Sequence, residues 1–336
     1  MTADASTLNV PQTGTVAVQV KAERYNYAGP IEISAVDLPE GLTANRTVMG
    51  PGKNEVMLTL SGTAETARGN INTIKVIGMV KQGDQELIET ATVTSAWKTE
   101  LNNMTTLSDQ YEDSLVLGVG PALPYRIRFE TNEIVLGPKL SIGSKIIVER
   151  NEGFNEAITL AVNPPADKQG LPANITAAVS PVEQDKNEVG ITFTATDKAA
   201  LGEFTIALSA TLTKEKQAYS QSLPGVTLKL LAPLTASTSL EKTEARRTET
   251  IPLKLTVNRN PALAGEITYK LNNLPEGYAA TTGTLAADAA EGTIMLTDSR
   301  AAPLGEVTNL IFTLELKRGK EVFKVDTAPV SFKVIE

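Results

Sequence analysis

Residues 252–280 read PLKLTVNRNPALAGEITYKLNNLPEGYAA. Apolar and polar residues alternate up to Arg259, alternate again from Ile267 to Leu271, and then meet Leu274-Pro275-Glu276-Gly277. A period of two marks a strand with one buried and one wet face. Pro at the second place of that tetrapeptide and Gly at its end mark a β-turn. The stretch therefore predicts a pair of antiparallel strands closed by a turn. The chain writes it twice more, as VAVQVKAERYNYAGPIEISAVDLPEGLTA at 16–44 and, more loosely, as KIIVERNEGFNEAITLAVNPPADKQGLPANI at 145–175.

Counting back from Arg24, Arg150 and Arg259, the second residue is Ala22, Val148 or Val257 and the fourth is Val20, Ile146 or Leu255. The residues between are polar or mixed, with Ile147 the exception. Ile31, Ile33 and Ala35 correspond to Ile158, Leu160 and Val162, and to Ile267, Tyr269 and Leu271. Tyr27, Phe154 and Leu263 hold equivalent places and are expected to plug one end of each core. Each Arg is expected to pair with a carboxylate or a loop carbonyl of its own domain.

A second block repeats as NEVMLTL at 54–60 and NEVGITF at 187–193, with TIML at 293–296 as its degenerate copy. Equal offsets lead from Leu60 to Gly69, from Phe193 to Gly202 and from Leu296 to Gly305. Another strand and a short polar turn follow each Gly. The closing strands are expected at Glu89–Trp97, Val226–Leu231 and Val330–Ile335.

About seven short strands per hundred residues, with little helical periodicity, predict an all-β chain of three tandem immunoglobulin-like or fibronectin-like β-sandwiches. The expected division is 1–101 for the first, 102–125 for a linker, 126–232 for the second and 233–336 for the third. A turn of helix is expected at Ser108–Asp113 within the linker. Because the second junction is so short, the second and third sandwiches are expected to be the stiffer pair.

Composition narrows the chemistry. Among 336 residues there is no Cys and no His, which removes disulfides, thiolate nucleophiles, Ser-His-Asp triads and His-ligated zinc. The net charge of −8 and scattered Lys and Arg speak against a nucleic-acid partner. No apolar run approaches the ~20 residues of a bilayer-spanning helix. The opening MTADASTLNV is polar and is not a signal peptide. The chain reads as a processed or excised piece, with its export signal and anchor outside it.

Asp109, Glu112 and Asp113 form an acidic cluster in the linker, but they lack the alternating spacing of a calcium loop. Glu183 and Asp185 are a weaker pair. Asp326-Thr327-Ala328 fails at its last residue as an aspartyl-protease motif. Lys145 and Lys254 fall on the outer face, which argues against an intramolecular Lys–Asn bond. Trp97, the one Trp, is expected to pack at a domain end. Asn45, Asn103 and Asn174 head Asn-x-Thr triplets, relevant only in a source that glycosylates. No catalytic, cofactor or metal residue is assigned.

The pattern of Arg, loop with an aromatic, Gly, alternating strand and Leu-Pro-Glu-Gly-Leu resembles the Ig-like repeats of large secreted or surface bacterial proteins. Such repeats often accompany pre-peptidase C-terminal-type domains. Residues 16–42, 146–172 and 253–278 carry the likeness. It implies a non-catalytic, extracellular or cell-surface segment: a spacer, an adhesive or an assembly module. Its partners would be a protein or glycan at the surface, or further copies of itself. One alternative is a carbohydrate- or protein-binding accessory module of a secreted hydrolase, marked by exposed aromatics at Tyr25, Tyr27 or Trp97. Another is a lattice or filament subunit, with a free edge at Thr7–Val10 or Val330–Ile335.

Overall fold

A computed structural model describes residues 1–102, 112–163, 170–298 and 303–336. It is a tandem of three Ig-like β-sandwiches. In the first, Thr2–Ala3, Thr15–Lys21, Glu55–Gly62 and Leu42–Ala44 make one sheet in that order. The facing sheet runs Thr7–Pro11, Leu115–Gly120, Ile71–Gln82, Ile31–Val36, Thr47–Met49. The second and third sandwiches repeat the scheme, each with a parallel pair at one edge, Glu133–Leu136 beside Val226–Leu230 and Glu244–Arg246 beside Val330–Ile335.

The alternation read from the sequence is the alternation of burial. Val18 and Val20 oppose Leu58 and Val56, and all four are buried in the first core with Ile33, Ile74, Val76, Leu115 and Leu117. Each fully buried Leu or Ile contributes about 1.5–3 kcal/mol over its exposed state. Aliphatic side chains from two sheets therefore hold the fold, in keeping with its few aromatics.

The turn after the second strand differs from expectation in one detail. The amide of Leu42 donates to the Pro39 carbonyl at 3.1 Å, and that of Tyr278 to Pro275 at 3.2 Å. Pro is thus the first residue of the turn, not the second. Gly41 and Gly277 take its third place at φ 81° and 87°, a conformation open to Gly without strain.

The closing strand departs further. In every sandwich it is broken into two halves that pair with successive parts of the same long neighbour. Gln217–Ser222 and Val226–Leu230 both pair with Gly202–Lys214, and only Leu223-Pro224-Gly225 separates them. Glu321–Asp326 and Val330–Ile335 both pair with Gly305–Arg318, across Thr327-Ala328-Pro329. Pro cannot donate to a ladder, so it stands where the strand jogs. In the first sandwich the halves are Gln85–Thr90 and Leu115–Gly120, with residues 91–114 between them.

The surplus spacing of the first repeat is this insertion. It corrects two expectations. Glu89–Trp97 is not one closing strand: Thr94–Glu100 is a helix, and Trp97 lies on it, half-buried against the core, its Nε1 donating to the Ser114 carbonyl at 3.2 Å. Within the stretch read as a linker, Leu115–Gly120 is a core strand of the first sandwich. The helix turn expected at Ser108–Asp113 falls largely outside the described residues.

The chain divides into two compact units, Met1–Leu231 and Ala232–Glu336. The first two sandwiches therefore share one compact unit. They lie side by side along Glu55–Gly62 and its neighbours. The Val48 amide donates to Thr205 Oγ1 at 2.7 Å, and the Gly225 amide to Thr59 Oγ1 at 2.9 Å. Gln221 accepts from the Thr15 amide at 3.3 Å and donates to the Tyr125 carbonyl at 2.8 Å. Lys53 Nζ donates to the Leu171 carbonyl at 3.2 Å, and burial lowers the Lys53 pKa. The Phe204 ring sits against Gly50, where an added Cβ would fall 2.2 Å from a ring carbon. Thr47–Met49 is the edge of its sheet, so the second sandwich covers an edge that would otherwise be open.

Tyr125 starts the second sandwich and is buried, its hydroxyl donating to the carbonyls of Ala210 at 2.8 Å and Tyr219 at 3.0 Å. Burial raises its pKa well above that of a free phenol. The folded state thus binds the proton more tightly than the unfolded chain. This contribution is complete below the unfolded value near 10 and is lost as pH climbs from there toward the folded value. Tyr125→Phe is expected to cost about 1 kcal/mol at neutral pH. It should also flatten the fall in stability above about pH 10, read by urea melts at stepped pH. An unchanged alkaline slope would remove Tyr125 as its source.

Candidate binding surface

The three Arg side chains are the most faithfully repeated polar feature, and they face inward to loop backbone. Arg24 Nε donates to Lys53 O at 2.6 Å, and its Nη atoms reach the carbonyls of Gly29, Met49 and Gly50. Arg150 reaches Lys186, Phe154 and Glu156. Arg259 reaches Ala289 and Ala286. Lys53, Lys186 and Ala289 each stand two residues before the Glu that opens the next strand. The planar guanidinium staples two loops in the first two copies and holds the loop before Glu291 in the third, which answers the open choice in favour of loop carbonyls. Burial lowers the pKa of Arg24 and Arg150.

Other residues singled out by the sequence are also placed. Lys145 ion-pairs with Glu188 at 3.1 Å and Lys254 with Glu291 at 2.8 Å, both pairs on the wet face. Asp113 meets Lys75 Nζ at 2.8 Å, and that hydrogen bond holds its carboxyl below the usual range. Glu112 accepts the Val93 amide through its backbone carbonyl, and Asp109 lies outside the described residues. Among the described residues no three acidic side chains are grouped to hold a metal ion. Thr327 is buried, its Oγ1 accepting the Phe312 amide at 3.1 Å at the jog in the closing strand. Asn45 accepts from Ser61 and Asn174 donates to the Lys198 carbonyl, while Asn103 is outside the described residues. Val330–Ile335 pairs on both sides and is no free edge, whereas Thr7–Pro11 pairs only with Leu115–Gly120 and stands at the end of its sheet, where an edge was expected.

What the sequence did not mark is a groove of about 430 Å³ where the first two sandwiches meet. Tyr27, Val48, Pro51 and Met79 form its apolar wall. Arg46 crosses it between Glu32 at 3.5 Å and Glu203 at 3.0 Å. Val48, Glu32, Met79 and Ile88 are successive partners across four strands, so the wall continues onto the hairpin of Ile71–Gln82 and Gln85–Thr90. That hairpin turns at Gly83, φ 62°, with Gln82 opposite Gln85. Tyr25 stands 87% exposed, its hydroxyl donating to Glu23 at 2.9 Å, and that hydrogen bond raises its pKa.

The expected plug is uneven. Leu263 is buried, and Phe154 meets Tyr219 edge-on at 5.6 Å beneath Lys214, 4.6 Å from the ring centre. Tyr27 is only half-buried, its hydroxyl donating to Pro30 O at 2.9 Å.

The strand order and parallel edge pair define the class as Ig-like. No protein-family model matches the chain, and no curated protein matches it. Among solved structures, the chain is similar to the adhesin FdeC of Escherichia coli at 12% identity, over 100% of this chain and 99% of that one, with a TM-score of 0.27. It is similar to the N-terminal eight Ig domains of Down Syndrome Cell Adhesion Molecule at 11% identity, over 98% and 39%, with a TM-score of 0.21. A protein of unknown function from Porphyromonas gingivalis W83 matches at 13% identity, over 62% and 99%, with a TM-score of 0.22. Likenesses this remote carry no argument about partner or activity, and the strand pairing stands on its own.

Proposed function

We propose that the chain is a non-catalytic tandem Ig-like segment of an exported bacterial protein, at the cell surface or outside the cell, that holds and presents a contact surface. The observation that carries this reading is the joint of the first two sandwiches. Thr, Gln and Gly side chains and backbone that could have faced water instead lock two domains into one body bearing a continuous outer groove. Such a body is suited to fixing the orientation of a binding face. Its partners are a protein or glycan at the surface, or further copies of the chain, and not nucleic acid; no helix among the described residues is long and apolar enough to cross a membrane.

A second reading, an accessory binding module of a secreted hydrolase, is favoured by the groove lined by Tyr27 and Met79 and by the exposure of Tyr25. Beads coated with the whole chain are expected to be retained under flow on polypeptide- or glycan-coated surfaces, beyond beads carrying an unrelated β-sandwich. Retention on neither surface, with a monomer at every concentration in light scattering, would remove adhesion and assembly together.

A further inference from the structure

Gln85–Thr90 pairs on one side with Ile71–Gln82, and no strand among the described residues pairs with its other side. The residues flanking a two-residue hairpin loop exchange both backbone bonds, and alternate residues then point their N–H and C=O inward. Counting from Gln82 opposite Gln85, Leu87 and Glu89 face their neighbour, while Glu86 and Ile88 present theirs outward. Both faces of this strand are bare as well. Leu87 is 58% exposed and Ile88 61%.

The other copies show what this position normally does. Leu87 opposite Val80 corresponds to Tyr219 opposite Leu212 and to Phe323 opposite Leu316. Phe323 is buried, and Tyr219 is half-buried against Phe154. In the first copy the same site is left uncovered, and Tyr27, the counterpart of Phe154, is only half-buried.

We propose that this open edge takes an extended strand of a partner polypeptide in which apolar residues alternate with Lys or Arg. The backbone edge supplies main-chain hydrogen bonds, and Leu87 and Ile88 supply apolar contact on either face. Charge sets the choice of occupant. The strand carries Glu86 and Glu89 and no basic residue, with Asp84 in the loop and Glu23 on Tyr25; Lys81 stands opposite Glu86 and the chain's own amino group meets Glu89, which leaves an acidic excess of two on this edge. Pairing this strand with itself would gather like charges in one short interface, which opposes a symmetric second copy. A basic strand relieves the same charges.

The inference deepens the adhesive reading and rests on it only in requiring a polypeptide partner. Its test uses the whole chain with two blocked hexapeptides, one alternating lysine with valine and one alternating glutamate with valine. Saturating lysine peptide is expected to slow hydrogen exchange at the Glu86 and Ile88 amides about tenfold or more, with the glutamate peptide leaving them unchanged. Glu86→Lys, an exposed change that should spare the fold, is expected to reverse the preference. Three results would each overturn the proposal: unchanged amides with both peptides, equal effects of both, or protection that grows with protein concentration alone. Beads still retained on polypeptide surfaces beside unresponsive amides would sink this inference and leave the adhesive reading standing.

Discussion

Gly50→Val is expected to open the joint between the first two sandwiches. A Cβ at Gly50 would lie 2.2 and 2.4 Å from Phe204 ring carbons and 2.5 Å from the Glu203 carbonyl oxygen, so backbone and a buried ring must both give way. Phe204 is buried, which leaves the ring little room to move. Overpacking of this kind costs about 1–3 kcal/mol, and more where backbone is struck. The upper end is expected, because the Val48–Thr205 hydrogen bond is next to the clash and would be lost with it. The readout is the number of transitions. Residues 1–231 should melt as one step in the parent chain and as two in the variant. Gly143→Val is the control, since nothing lies within 4 Å of its Cβ position. One unshifted step for Gly50→Val would mean the joint does not couple the sandwiches.

Arg24→Ala is the other large effect. It strips the guanidinium from four loop carbonyls, two of which, Met49 and Gly50, belong to the segment seated on the second sandwich. Hydrogen bonds to a charged donor are worth about 1.5–3 kcal/mol each and do not add, so a loss of about 3 kcal/mol is expected. Arg150 reaches three carbonyls and Arg259 two, so the losses should fall in that order. Lys should not rescue any of them, because an ammonium cannot span the fork. Denaturant midpoints of the three Ala and three Lys variants decide it. Equal, small losses would reduce the guanidinium to a surface group.

These features differ in how plainly the sequence announces them. Strand faces are legible because burial imposes a period of two: Val20, Ile146 and Leu255 mark the core in each copy. The loop-stapling Arg is legible because it repeats at one offset. The broken closing strand is not, since its halves join through three residues in two copies and through residues 91–114 in the other. Pro224 and Pro329 were the available clue. The joint is harder still. Thr59, Thr205 and Gln221 look like ordinary wet-face residues, and only coordinates show that the water has been replaced by another domain. One residue did signal it. Ile147 breaks the alternation as an apolar side chain on the polar face, and it lines the cleft with Thr13, Arg126 and Arg128 where the two sandwiches meet.

The jog in the closing strand has a consequence for how such chains can be elaborated. The ladder resumes on the same neighbour after the interruption, with a one-residue slip in the second copy and a bulge in the third, whether three residues or a whole helix stand between the halves. Length added there leaves the strand pairing untouched. In the second copy the spot is committed, because the Gly225 amide is bonded to the neighbouring sandwich. In the third, Thr327 bonds Phe312 within its own sheet. That makes residues 327–329 a natural port for grafting a foreign segment, and the helix-bearing first copy is the precedent within the same polypeptide.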